Sequence, residues 1–326
     1  MSRSMRSSVN RSMRREMSGC GPEPSSMSSM SPRSLRTQPI RWTRMDQLVW
    51  HERPTLRRPV LLVAFEGWSD AGDAASSTVE FLAERWSARA VASIDAEEFF
   101  DFTETRPRAV LDDEGNRRIE WPRNDLMAAT VPGLEHDVLL LVGTEPQMRW
   151  RTFCRQITTA AESLGVSYVL TLGALLAEVP HTRETSIMAS SQDDGLQARF
   201  GLEASRYEGP TGITSVVHQA CLDAGIPSAG LWAAVPSYVP GAPSPKATLA
   251  LVERTTAMLG TAVPASDLEI ASAAYERQLD ELVSEDEETA GYVEQLERRY
   301  DSDDEGTGAE SLIDEVERFL RDQPGD

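Results

Sequence analysis

The sequence predicts an α/β fold, a mostly parallel sheet covered by helices with an α-helical appendage at its C-terminal end. Three observations predict it. Continuous apolar runs of strand length, over 60–65 and 138–142, read as strands buried on both faces. They alternate with stretches whose apolar residues recur every three or four positions, the period of a helix packed on a sheet. After Pro264 the strand signal stops and only helical spacing continues.

The elements follow in order. Residues 59–65 form a strand, after which Ser69 or Asp70 caps a helix with apolar positions Ala71, Ala75, Val79, Leu82 and Trp86. A second strand covers 88–94. Residues 109–111 and 118–121 flank the polar turn 112–116 and read as a hairpin. The pattern then repeats, with a strand over 137–142 and a helical stripe of Trp150, Phe153, Ile157, Ala160 and Leu164. A strand over 168–172 follows Gly165. Ile213, Val217, Cys221 and Ala224 line one helix face, 229–235 is a strand, and Leu249, Val252, Thr256 and Leu259 mark a helix. Ser266-Asp267-Leu268-Glu269 has the spacing of a capping box, and Tyr275, Leu279 and Leu282 continue its helix. Further helices are expected near 287–300 and 309–321, with Glu294–Arg298, Asp314–Arg318 and Glu317–Arg321 as i,i+4 pairs.

Composition divides the 326 residues into three parts. Residues 1–44 carry nine Arg against Glu16 and Glu23, and the first 40 hold twelve Ser and six Met. Too little apolar surface is available there to offset ordering entropy, so disorder is expected. A translation start near Met30 or Met45 is the alternative account of this stretch. Residues 45–263 form the α/β core. Residues 264–326 form an acidic helical region, with 19 acids against five Arg from 275 onward.

The net charge of −20 and a pI near 4.7 argue against a nucleic-acid partner. A membrane span needs about 20 apolar residues, far more than the longest run here, so no membrane partner is expected. Three cysteines without a CxxC pair suit a reducing cytoplasm, and Cys154 and Cys221 fall on apolar helix faces as core thiols. No metal is expected, because His51, His136, His181 and His218 show no ligand spacing. The basic residues are 31 Arg and the single Lys246.

Candidate chemistry gathers where strands pass into helices. Ligands of open α/β sheets sit outside the carboxyl ends of the strands, and a helix N-terminus offers free N–H groups. Glu66, Gly67, Ser69 and Asp70 lie at such a turn, without the lysine of a phosphate-binding P-loop or GxGxxG spacing. Glu145, before Pro146, and Gly209, Thr211 and Gly212 open later helices and could line the same crevice. His181, after Pro180, could join Ser69 and an aspartate as a hydrolase triad, but no GxSxG elbow surrounds any serine. Each of these residues also has a plain structural reading, as a cap, a turn former or a satisfied polar group. No cofactor and no catalytic residue is assigned.

Seven segments in this order carry a resemblance: 65–72, 101–107, 119–122, 143–146, 173–181, 207–213 and 232–238. Together they resemble the proteasome assembly chaperone two family, in its actinobacterial branch, over roughly 46–321. The resemblance implies a phosphorylase- or nucleosidase-like core and a homo-oligomer, with a trimer among the compatible states. It further implies a non-enzymatic assembly or scaffold role toward a proteasome-related or other protein client. Family members that dock on proteasome α-rings can end in a hydrophobic-Tyr-any tripeptide. This sequence ends Pro324-Gly325-Asp326, so docking by that route is not expected. The alternative is a nucleoside- or phosphate-type binding protein or enzyme using the crevice at the strand ends.

Overall fold

The structure is a computed structural model that describes residues 47–112 and 114–303. The expectations for 1–44, the helix near 309–321 and the pairs Asp314–Arg318 and Glu317–Arg321 lie outside the described residues.

Ten strands and seven α-helices are found among them. The strands are β1 (Leu48–Trp50), β2 (Val60–Glu66), β3 (Arg89–Ile94), β4 (Arg108–Leu111), β5 (Arg117–Glu120), β6 (Asn124–Ala129), β7 (Val138–Thr144), β8 (Tyr168–Ala177), β9 (Ile187–Ser191) and β10 (Ser228–Pro236). The helices are α1 (Ala74–Arg85), α2 (Trp150–Leu164), α3 (Asp194–Phe200), α4 (Ile213–Asp223), α5 (Pro245–Leu259), α6 (Ser266–Ser284) and α7 (Glu287–Asp303).

Eight strands form one sheet in the order β1-β3-β6-β7-β2-β8-β10-β9, and β4 and β5 form a separate two-stranded ribbon. The centre β7-β2-β8-β10 is parallel, and β6, β3, β1 and β9 extend it by antiparallel pairs. Since β3 pairs antiparallel to β6, which opposes β7, five of the eight strands run in one direction. The fold is α/β, as the alternation of strand and helix signals predicts.

The physical basis of the centre is visible in β2. Val60, Leu62 and Ala64 join the core under α1 and α5, whereas Leu61, Val63 and Phe65 join the core under α2 and α4. Side chains alternate across a strand, so a strand covered on both faces needs an apolar residue at every position. Full burial of each large side chain is worth about 1.5–3 kcal/mol against exposure.

Several details differ from the sequence reading. The strand expected over 168–172 runs on to Ala177, and β1, β6, β9 and α3 carry no signal strong enough to be read. Ser69 does not cap α1. The helix is preceded by a short 3-10 turn, Ala71–Asp73, and its first N–H groups at Ala75 and Ser76 are bound by the Asp70 carboxylate. The capping box at Ser266 also fails, because Ala265 is the N-cap residue and makes no side-chain cap. Asp267 instead binds Arg85 of α1 at 2.5 Å. On α6 the buried residues are Ser272, Tyr275 and Leu279, and Leu282 is 59% exposed. The expected Glu294–Arg298 pair forms at 3.5 Å on exposed side chains, worth a few tenths of a kcal/mol at most.

Candidate functional site

Strands β2 and β7 end side by side, Phe65 opposite Gly143 and Glu66 opposite Thr144. Helix α1, which follows β2, covers one face of the sheet, and α2, which follows β7, covers the other. The loops after the two strands therefore part at the carboxyl ends, the place where open α/β sheets form a crevice.

Glu145 ties that place together. One carboxylate oxygen accepts the Ile213 N–H at 2.9 Å, and the other accepts the Trp68 N–H at 3.1 Å. The N-cap of α4 is Gly212, which has no side chain to offer, so a carboxylate 68 residues earlier in the chain does the capping. Its charge also suits the positive end of the helix dipole. Gly212 is required by crowding: a Cβ there would lie 2.3 Å from Ser69 Oγ and 2.9 Å from the Trp68 ring. Gly67 is required by its φ of +125°, and a Cβ there would meet Glu145 at 3.1 Å.

Asp70 is the most perturbed group of the cluster. It is buried, and its carboxylate accepts Ala75 N–H at 2.7 Å, Ser76 N–H at 3.1 Å and the Ser76 hydroxyl at 2.5 Å. Burial pushes its pKa up to about 6, more than these hydrogen bonds pull it down. A raised carboxyl pKa means that the folded chain keeps a proton the unfolded chain has already released. Stability is therefore lost as pH rises from about 4 through about 6, by up to ~3 kcal/mol for this group. Asp70→Asn keeps an acceptor for α1 and removes the titration. Its stability relative to the wild type is expected to climb between pH 4 and pH 7 in urea melts; a constant difference would show that Asp70 does not titrate in that window.

The structure thus brings Glu66, Gly67, Ser69, Asp70, Glu145 and Gly212 to one end of the sheet. Glu66 is exposed and accepts the Thr144 hydroxyl at 3.2 Å. Ser69 Oγ is buried and has no hydrogen-bond partner among the described residues. Gly209 and Thr211 are exposed in the loop before α4, whose Tyr207 hydroxyl donates to the Pro210 carbonyl at 2.7 Å. Glu145-Pro146 does not open α2 directly, since that helix starts at Trp150 after Arg149 in a left-handed conformation.

His181 stands apart from this cluster. It is buried, with Nδ1 2.7 Å from the Tyr238 hydroxyl and Nε2 3.1 Å from Asp280 of α6. The Tyr238 oxygen also accepts the His181 N–H, and burial raises the Tyr238 pKa. Lys246 donates to the His181 carbonyl at 2.6 Å and to Glu276 of α6. His181 therefore fastens α6 to the end of β8 and makes no hydrogen bond to Ser69. Tyr238, Lys246 and Asp280 were not readable as its partners, because Asp280 lies 99 residues away and no local spacing links them. Cys154 and Cys221 are buried, and burial pushes both thiols up to about 12, far from a reactive thiolate. Among the described residues, no group of three His, Cys, Asp or Glu side chains is placed to hold a metal ion. No helix there is long and apolar enough to cross a membrane.

The fold recurs in known structures. A PAC2 family protein from Streptomyces avermitilis is 43% identical, over 72% of this chain and 99% of that one, with a TM-score of 0.67. A Mycobacterium tuberculosis proteasome-assembly chaperone homologue is 44% identical, over 72% and 99%, with a TM-score of 0.65. Pyrococcus furiosus PbaB, an archaeal proteasome activator, shares the fold at 16% identity, over 72% and 97%, with a TM-score of 0.59. A search of the curated proteins finds no match. The PAC2 family profile spans residues 64–283, from the end of β2 through nearly all of α6, and so takes in both the Glu145 clamp and the His181 fastening. The chain belongs to the PAC2 family.

Proposed function

We propose that this protein is a non-enzymatic, homo-oligomeric assembly factor acting in the cytoplasm, with a proteasome-related protein as its client. The observation that carries the reading is the 44% identity to the proteasome-assembly chaperone homologue over 99% of that chain. The strand-end cluster supports it. Both oxygens of Glu145 and both of Asp70 are engaged within the chain, as structural caps. Beside them Trp68 is 46% exposed, an aromatic residue of the kind that anchors protein interfaces. A nucleoside or phosphate at the same place is the competing reading, and the N–H at the start of α4 that such an anion would use is held by Glu145.

Sedimentation velocity of the purified protein with proteasome α- and β-subunits from the same organism tests the proposal. A complex is expected, and Trp68→Ala should weaken it about tenfold, near 1.4 kcal/mol, with an unchanged melting temperature. No complex at tens of micromolar, together with melting shifts for nucleosides or sugar phosphates, would transfer support to the small-molecule reading.

A further inference from the structure

Among the described residues the β4–β5 ribbon pairs with no other strand, and a two-stranded hairpin is at best marginally stable alone in water. Its two faces differ. Directly paired residues share a face, so Arg108, Val110, Arg118 and Glu120 lie on one side and Ala109, Leu111, Arg117 and Ile119 on the other. The charged side contains the half-buried Val110 and Glu120, whereas the apolar side is turned to solvent, with Leu111 69% and Ile119 48% exposed. Trp121, two residues beyond Ile119 and 52% exposed, extends it and is held edge-on against Phe102 at 4.8 Å. A contiguous exposed apolar face of this kind marks a contact surface.

Charge says what would cover it. On the apolar side Arg117 is exposed, as is Arg106 just before the ribbon, and neither has an ion-pair partner among the described residues, on a chain whose net charge is −20. The matching surface is on the same chain, where α6 passes into α7. There Leu282 is exposed among Glu281, Glu285, Glu287 and Glu288, all exposed and none in an ion pair among the described residues. Both surfaces are open within one copy, so neither covers the other intramolecularly.

We propose that the apolar face of the β4–β5 ribbon docks on the acidic α6–α7 elbow of a second copy of this chain. The contact joins two different surfaces, so repetition closes into a ring when the rotation between copies permits. It rests on the homo-oligomer of the assembly-factor reading and specifies where the copies meet. Arginine against glutamate sets register and speeds encounter, and Leu111, Ile119 and Trp121 against Leu282 exclude water.

Sedimentation velocity at tens of micromolar tests it, with circular dichroism to confirm folding. The wild type is expected to be an oligomer, and Ile119→Asp and Arg117→Glu are each expected to yield folded monomer. Glu285→Arg is expected to do the same, and Arg117→Glu combined with Glu285→Arg in one chain to regain the oligomer. A monomeric wild type overturns the contact, as does an oligomer that survives Ile119→Asp. The monomeric result would overturn it even with proteasome subunits still captured. Failed capture by a wild-type oligomer that Ile119→Asp dissolves counts against the assembly role and supports the contact.

Discussion

Phe153→Asp is expected to yield no soluble, folded protein. The Phe153 ring is fully buried between Phe65 and Phe99, with ring centres 5.7 Å and 5.2 Å away. Removing a buried phenylalanine costs about 3–5 kcal/mol, and a carboxylate without a partner in the same place adds several more. Together these approach the whole stability of an ordinary domain, roughly 5–15 kcal/mol. Val79→Asp, in the layer under α1, should behave in the same way, since Val79 is equally buried. Expression tests and urea melts check both; a soluble variant with a cooperative melt would contradict the assigned helix faces.

Gly143→Ala is expected to cost ~3 kcal/mol or more, although it adds one methyl group. A Cβ at Gly143 would lie 2.1 Å from the Arg123 carbonyl oxygen and 2.4 Å from the Asn124 amide oxygen. Neither can yield cheaply. Asn124 is fully buried, its amide nitrogen donates to the Thr144 carbonyl at 3.2 Å, and it faces Gly143 across the β6–β7 ladder. The ladder would have to open at the end that carries Thr144 and Glu145. Gly291→Ala in α7, where nothing lies within 4 Å of the added atom, is the control and should stabilise by about 0.5–1 kcal/mol. Equal urea midpoints for Gly143→Ala and wild type would contradict the close approach of β6 to β7.

What could be read in the sequence follows from where each element lies. Strands β2 and β7 were legible because burial on both faces demands an unbroken apolar run. Helix α2 was legible because Trp150, Phe153, Ile157, Ala160 and Leu164 recur at helical spacing, with Arg151 and Arg155 exposed between them. At the sheet margins that demand relaxes. Strand β9 is half-buried along most of its length, β1 has three residues, and β6 opens with Asn124 and Asp125, so none carries a clear period. The capping box failed because the helix begins one residue earlier, with Ala265 as its N-cap, and Asp267 in its first turn is held by Arg85, a contact across 182 residues that no local motif can encode.

The candidate site divides along the same line. Topology alone suggests that Glu66, Ser69, Glu145 and Gly212 meet, since all sit at strand ends or the helix starts beyond them. The bonds that define the cluster, Glu145 to Ile213 and to Trp68, span 68 and 77 residues. Spacing placed Glu145 at a helix start lining a crevice, whereas the fold binds its carboxylate to two backbone N–H groups. His181 was grouped with Ser69 because both follow strands, whereas the fold spends its ring on Tyr238 and Asp280.

The proposed assembly role is tested most directly by the rate at which separated proteasome α- and β-subunits form the full particle, followed by native gel with and without this protein. The account predicts faster assembly with the wild type and a smaller gain with Trp68→Ala. An assembly rate that the wild-type protein leaves unchanged, at concentrations where it is folded, would contradict it.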